Sequence, residues 1–146
     1  MAPIISYFQE NGPRFFDMLG AHIRISLIAL VIAMLIGIPA GFLCVRHPKS
    51  QKTITGLFSI LRVIPSLAIL LLMVPLLGVG TAPAVVALVL LAVPPILMNT
   101  VAGLEAVPPF MLETADGLGM TGVQVWQKVR FPLAMPMILT GIKTAA

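Results

Sequence analysis

The sequence predicts an all-α membrane protein, and two observations support that fold class. No Asp, Glu, Lys, Arg or His occurs between Val63 and Leu104, and the whole chain is 59% hydrophobic and only 10% charged. About 20 apolar residues span a bilayer as a helix, so this uncharged run is long enough to cross twice. A soluble helix needs a polar face toward water, which such a run lacks. The expected fold is therefore a polytopic helix bundle.

The first expected span covers about residues 25–45, which carry no charge. A cleaved signal peptide would need a basic segment before a shorter apolar core. Here the basic residues Arg46, Lys49 and Lys52 follow the apolar run instead. Because loops rich in Lys and Arg stay in the cytoplasm, the span is expected to run inward, with the N-terminus outside.

The second and third expected spans cover about residues 63–77 and 84–104, with a turn between Gly78 and Pro83. Residues 105–136 then form a polar cytoplasmic segment, and residues 137–146 begin a fourth span. That last apolar run is too short to cross a bilayer, so the sequence is expected to be the first part of a longer, C-terminally truncated membrane domain. The chain is thus a single transmembrane domain with three full spans and the start of a fourth.

The polar segment has the pattern of two short helices joined by a bend. Pro108 and Pro109 suit the first turn of a helix, and Gly117 and Gly119 are expected to supply the bend. The spacing of Thr121 and Gln124 predicts a capping box at the start of the second helix. One face of that helix is expected to be apolar, with Val125, Trp126 and Val129.

The second short helix is expected to end at Pro132, because proline interrupts helix hydrogen bonding. The chain would then turn into the fourth span. An ordinary solvated loop is the alternative interpretation of this segment.

The polar segment resembles the EAA loop found in permease subunits of binding-protein-dependent ABC importers. In that loop a Glu-Ala-Ala sequence is followed by a Gly six residues after the Glu and then by Ile-x-Leu-Pro. Thr114, Val129 and Phe131 depart from this pattern but keep similar size or apolar character. The matching positions and these departures are Glu113, Thr114, Ala115, Gly119, Val129, Phe131 and Pro132.

Other segments resemble the osmoprotectant branch of these importers, which carries glycine betaine, carnitine, choline and related quaternary amines. The likeness covers roughly residues 21–146, and four segments carry it: 64–68, 95–100, 117–121 and 131–136. It implies an importer permease fold in a bacterial cytoplasmic membrane. It also implies that the EAA loop couples this subunit to an ATPase. Closure of two ATPase subunits would be transmitted through a short rigid helix and converted into a shift between inward- and outward-facing packings.

The resemblance implies several partners and no catalysis by this chain. ATP and Mg would be bound by a cytoplasmic ATPase subunit, so no cofactor is expected here. The other expected partners are an extracytoplasmic solute-binding protein, separate or fused, and a second permease copy or paralogue. No nucleic-acid partner is expected, because the nine Lys and Arg residues flank the spans.

Residues 59–109 contain no aromatic side chain, and a quaternary ammonium is usually held by an aromatic cage. Substrate specificity is therefore expected on the binding protein, with a low-affinity path through this subunit. Polar or helix-breaking residues in the apolar sequence are weak candidates for that path: Pro65, Ser66 and Asn99. The Gly37-x3-Gly41 pattern predicts a close helix contact, either at a dimer interface or within one subunit.

Three alternatives remain open from the sequence. The importer could carry another small solute. A passive channel or carrier would not need an ATPase-docking loop. An intramembrane enzyme is disfavoured because the spans contain no acid pair, Ser/His dyad or metal-ligand cluster.

Overall fold

The computed structural model describes the backbone of residues 2–146 and the side chains of residues 11–146. Seven α-helices and one π-helical turn follow one another in the described chain, and no strand occurs in that part. The all-α prediction is confirmed. The helices are α1 (Ala2–Arg46), α2 (Pro48–Leu61), α3 (Ser66–Leu77), α4 (Thr81–Glu105), α5 (Pro109–Gly117), α6 (Gly122–Val125) and α7 (Phe131–Ala145), with the π turn at Trp126–Arg130.

Helix α4 lies at the centre of the bundle, in contact with α1, α2, α3 and α7. Its middle is the most buried part of the molecule, with Ile96, Leu97 and Thr100 fully covered. The hydroxyl of Thr100 donates to the carbonyl oxygen of Ile96 at 2.7 Å, so the one polar side chain among the buried residues described here is satisfied within its own helix.

Glycines set the close approach of α1 to α4. A Cβ added at Gly37 would lie 2.9 Å from Ile96, and one added at Gly41 would lie 2.7 Å from Thr100. Small residues of this kind let transmembrane helices pack closely without a hydrophobic driving force. The Gly37-x3-Gly41 pattern therefore serves a contact within this chain. Because the numbering rises together on both helices, α1 and α4 run parallel.

Helix α7 packs against a neighbouring face of α4, runs in the opposite direction, and also contacts α1. Gly103 of α4 lies against Ala134 and Met137, and Gly141 of α7 lies against Pro95 and Asn99. An added Cβ would come within 3.0 Å of a neighbour at either glycine. The α1–α4–α7 layer is thus held by glycines from all three helices.

Among the residues that the structure describes, two helical stretches, Asn11–Arg46 within α1 and Thr81–Glu105, are long and apolar enough to cross a membrane. The second contains the span expected at 84–104. The first extends well before residue 25, because no strong helix-stop signal separates the charged residues from the apolar run that follows. Helix α7 likewise begins at Phe131 rather than at residue 137.

The segment expected as a span over about residues 63–77 differs in the structure. Helix α3 has only 12 residues, about 18 Å at 1.5 Å per residue, which is shorter than the hydrocarbon core. It follows α2 after a bend of 91°, and the two together can form one broken span. Pro65 explains the bend, because a residue before proline avoids the helical conformation.

Candidate coupling segment at one end of the bundle

The bend after α5 is a Schellman motif centred on Gly119. The Met120 amide donates to the Ala115 carbonyl at 3.1 Å, and the Gly119 amide donates to the Asp116 carbonyl at 2.9 Å. Gly119 has a φ of 71°, the left-handed conformation that glycine adopts without a Cβ penalty. The predicted bend at Gly119 is confirmed. Gly117, by contrast, is the last residue of α5 and has no positive φ.

Helix α5 presents one small buried residue and a polar exposed face. Ala115 is buried, whereas Glu113 and Thr114 are exposed. The Thr114 hydroxyl donates to the Phe110 carbonyl at 2.7 Å and is therefore already bonded within α5. Apolar side chains accompany Glu113 on the exposed surface, with Phe110 58% and Met111 39% accessible. An exposed face that combines a carboxylate with apolar groups suits contact with another protein.

The second short helix begins with the predicted capping box. The Thr121 amide donates to the Gln124 side-chain oxygen at 2.9 Å, and the Gln124 amide donates to the Thr121 hydroxyl at 3.4 Å. These bonds satisfy two amides that a helix start leaves free. The predicted apolar face is also confirmed, since Val125 is buried and Trp126 and Val129 are half-buried, whereas Gln124 and Lys128 are exposed.

The prediction that Pro132 ends this helix is wrong. The helix continues through the π turn at Trp126–Arg130 into α7, with the Phe131 amide bonded to the Trp126 carbonyl five residues before it. Proline has no amide proton, and its ring crowds the carbonyl four residues earlier, here Lys128. The wider π turn gives that carbonyl room, so the chain passes Pro132 without breaking.

Aromatic side chains fasten the π turn to the end of α1. The Phe42 ring lies 5.6 Å from that of Trp126 in an edge-to-face arrangement. It also stacks on Phe131 at 6.1 Å. Both separations fall in the favourable range for aromatic pairs. The Arg130 guanidinium lies 5.2 Å above the Trp126 ring, a cation–π distance.

The residues from α5 to α7 therefore form one continuous segment that is packed against the rest of the bundle. A bend with a fixed conformation leads into a capped helix, which is continuous with α7 and packed against α1 and α4. Ala134 and Ile138 of α7 are buried with Leu104 of α4 in one cluster, with Trp126 and Phe42 at its edge. A force on α5 would reach the centre of the bundle along packed residues.

The comparison with known proteins identifies the family. Residues 33–146 match the family described as "Binding-protein-dependent transport system inner membrane component". The chain belongs to this family. The matched range includes the whole α5–α7 segment, so the resemblance found in the EAA loop is confirmed at the level of the family.

Curated relatives place this inner membrane component near permeases for osmoprotectants. It is 42% identical over 99% of its length to the choline transport system permease protein OpuBB of Bacillus subtilis. It is 41% identical over 99% of its length to the glycine betaine/carnitine/choline transport system permease protein OpuCB of the same organism. It is 39% identical over its full length to the carnitine transport permease protein OpuCB of Listeria monocytogenes. The chain spans 67% of the length of each of these three relatives.

A solved structure supports the fold of this inner membrane component. A chain of the MetNI methionine ABC transporter, in inward-facing conformations, matches with a TM-score of 0.71 at 25% identity. The match covers 84% of this chain and 63% of that chain. The helix bundle is therefore that of an ABC importer permease.

The weak path candidates of this inner membrane component are not brought together. Pro65 and Ser66 are exposed at the bend between α2 and α3. Asn99 is half-buried, with its Cβ against α7 at Gly141 and its amide group donating to the Pro95 carbonyl at 2.8 Å. No hydrogen bond joins Ser66 to Asn99 in the part of the chain that the structure describes.

Several structurally important residues of the inner membrane component were missed from the sequence. Phe42 lies in an apolar run that gives no sign of its contacts with Trp126 and Phe131. The Gln51 amide donates to the Glu105 carboxylate at 2.6 Å, which joins α2 to the end of α4 across a separation of 54 residues. Among the missed residues, Gly141 alone had a sequence signal for a close helix contact. It is a small residue one turn after Met137, in a sequence otherwise rich in large apolar side chains.

Proposed function

We propose that this inner membrane component is the permease subunit of an ATP-driven importer for a quaternary-amine osmoprotectant such as choline, glycine betaine or carnitine. The solute class is drawn from the names of the three relatives. The alternative is that the same ATP-driven importer carries another small solute. This chain provides the path and the coupling, and a separate subunit hydrolyses ATP.

The geometry of α5 is the observation that supports coupling best. Helix α5 displays an exposed face, while Ala115 and the Gly119 bend attach it rigidly to the α6–α7 segment. The coupling residues are the EAA positions named above, with Glu113 and Thr114 on the exposed face and Phe131 and Pro132 at the start of α7. Closure of a partner ATPase against α5 would tilt α7, and the glycine contacts would carry that tilt to α4.

The proposed orientation follows from charge. The ends of α1 and α4 lie on the same side as α5, because α1 and α4 run parallel and α5 follows α4 directly. Arg46, Lys49 and Lys52 lie at this end, and their positive charge favours the cytoplasm. The N-terminus of the chain is then outside, and the α5 face meets the ATPase.

The proposed assembly has three kinds of partner besides the lipid bilayer. An ATPase subunit covers α5, and a solute-binding protein delivers substrate from the opposite side. A second permease, identical or paralogous, completes the path. Large apolar side chains exposed along α1 and α3 are available to lipid or to that second permease: Leu35, Leu67, Leu71, Leu72 and Leu76.

Reconstituted uptake tests this proposal. The permease, its ATPase and its binding protein are placed in liposomes containing ATP, and labelled choline, glycine betaine, carnitine, proline and methionine are compared. We expect uptake of at least one quaternary amine that stops when ATP is replaced by a non-hydrolysable analogue. Uptake that continues without hydrolysis would indicate a passive carrier. ATP-dependent uptake of methionine or proline alone would retain the importer but overturn the solute class.

A further inference from the structure

A groove lies between the end of α1 and the start of the α6–π segment. Its volume is about 600 Å³. Apolar and aromatic side chains form most of its wall, and a guanidinium and an amide supply the polar part. The wall includes Phe42, Leu43, Arg46, Val123, Trp126 and Gln127.

The groove lies at the polar end of a membrane-spanning helix. The candidate span Asn11–Arg46 ends at Arg46, whose side chain is exposed. Trp126 is the only tryptophan in the sequence, and tryptophan side chains are enriched at the level of lipid headgroups. The groove is therefore at the boundary between acyl chains and headgroups of one leaflet.

The charges around the groove are positive. Arg46 lines it, and Arg130 covers one face of the Trp126 ring at 5.2 Å. None of the residues that line the groove is acidic. Glu105, whose carboxylate accepts a hydrogen bond from Gln51 at 2.6 Å, does not line the groove. A ligand that enters this groove therefore meets positively charged side chains and no carboxylate in its wall.

The apolar wall decides what kind of anion fits. Leu43 and Val123 are 59% and 66% exposed, so they gain from contact with hydrocarbon, which a free phosphate ion cannot supply. A choline headgroup would need an aromatic face or an acid to hold its cation. No acid lines the groove, and the Arg46 and Arg130 guanidinium groups would repel that cation.

We propose that this groove binds an anionic phospholipid of the adjacent leaflet. The phosphate lies beside the Arg46 guanidinium with Gln127 as a further donor, and the upper part of an acyl chain lies along Phe42, Leu43 and Val123. The bound lipid would fill the gap between α1 and the coupling segment. The proposal depends on the membrane location of the chain and not on its solute or its ATPase.

Trp126 provides the measurement, because it lines the groove and is the only tryptophan in this sequence; any tryptophan elsewhere in the full-length permease is first replaced by phenylalanine. The permease is reconstituted in vesicles that contain increasing fractions of brominated phosphatidylglycerol, a short-range quencher, and separately brominated phosphatidylcholine. We expect half-maximal quenching at a clearly lower fraction of phosphatidylglycerol. A basic residue near a membrane surface contributes about a fivefold preference for anionic lipid, so Arg46→Gln should weaken the preference by about fivefold.

Matched variants keep the test decisive. Arg24→Gln removes an arginine from the middle of α1, about 33 Å from Arg46 along the helix at 1.5 Å per residue, and should leave the preference within twofold, while Arg46→Lys should retain most of it. If Arg46→Gln does not insert, Arg130→Gln should show the same loss without changing α1. Equal quenching by both lipids, an equal effect of Arg24→Gln, or displacement of the brominated lipid by millimolar inorganic phosphate or glycerol phosphate would each overturn the proposal.

Discussion

The amide of Met120 donates a hydrogen bond to the carbonyl oxygen of Ala115 at 3.1 Å, and this contact closes the end of α5. Ala115 is the buried residue of α5, and Met120 is the first residue after the left-handed Gly119. The bond therefore fixes the direction in which α5 leaves the bundle.

Gly141→Ala should destabilise the α4–α7 contact. The added methyl group would lie 2.7 Å from the Asn99 Cβ and 3.0 Å from the Pro95 carbonyl oxygen, which is part of the backbone and cannot rotate away. Overpacking of this kind costs roughly 1–3 kcal/mol. Thermal unfolding of the purified protein in detergent measures the effect as a lower midpoint.

Gly56→Ala is the matched control for that substitution. No heavy atom lies within 4 Å of the added Cβ at Gly56, and alanine is the better helix former by up to about 1 kcal/mol. Its midpoint should stay equal or rise. If Gly141→Ala and Gly56→Ala behave alike, α7 does not pack on α4 as described.

Pro132→Ala should convert the π turn into an α-helix. The restored amide can bond to the Lys128 carbonyl. If the turn changes from five-residue to four-residue hydrogen bonding, its register shifts by one residue and the preceding segment rotates by about 100°. Trp126 would then leave Phe42 and become more exposed. We expect red-shifted Trp126 emission and stronger quenching by iodide. Pro136→Ala, one turn further along α7, should leave the spectrum unchanged, and an unchanged spectrum in Pro132→Ala would show that proline does not maintain the π turn.

Thr121→Ala should loosen the start of α6. The substitution removes the hydroxyl that accepts from the Gln124 amide at 3.4 Å, and loss of a helix cap typically costs about 1 kcal/mol. Hydrogen exchange at residues 123–125 should accelerate by about fivefold. In the control Thr140→Ala, the lost hydroxyl only donates within its own helix, to Pro136 at 2.9 Å, so exchange at residues 123–125 should not change. Equal exchange in the wild type and Thr121→Ala would contradict the capping role.

Cysteine labelling should report the orientation of the bundle. Cys44 is the only cysteine and is buried, so Cys44→Ala gives a background for single introduced cysteines. An impermeant thiol reagent added to intact cells should label a cysteine at Thr81 but not one at Ser50, because the basic residues around Ser50 remain inside. After permeabilisation both should react. The reverse pattern in intact cells would place α5 on the side away from ATP.

Local signals in the sequence predicted the bend and the cap, whereas the packing around them was not predictable. Gly119, Thr121 and Gln124 act through neighbours within a few residues, so their spacing carries the information. The contact of Phe42 with Trp126 joins residues far apart in the chain, and nothing in an apolar run marks which phenylalanine makes it. The EAA pattern indicated the position of the coupling segment, and the coupling roles of its residues stay predictions.

Pro65 and Pro132 show why the spans were harder to place. Both prolines directly follow a large apolar residue, Ile64 or Phe131. One bends the chain by 91° between α2 and α3, whereas the other is accommodated by a π turn. The difference lies in tertiary packing: Phe131, beside Pro132, stacks on Phe42, whereas Pro65 and its neighbours Ile64 and Ser66 are exposed.

Stimulation of ATP hydrolysis by the loaded binding protein tests coupling through the α5 bend most directly. Gly119→Val places a β-branched residue at a φ of 71°, a conformation that costs such a residue roughly 1–3 kcal/mol. Gly117→Val adds the same side chain two residues earlier, where no positive φ is required and no atom lies within 4 Å of the Cβ. Glu113→Ala should have only a mild effect, since an exposed charge contact contributes at most about 1 kcal/mol. In the reconstituted transporter we expect Gly119→Val to assemble normally but to lose the stimulation of ATP hydrolysis. Gly117→Val should keep most of that stimulation. Normal stimulation in an assembled Gly119→Val transporter would contradict coupling through the α5 bend.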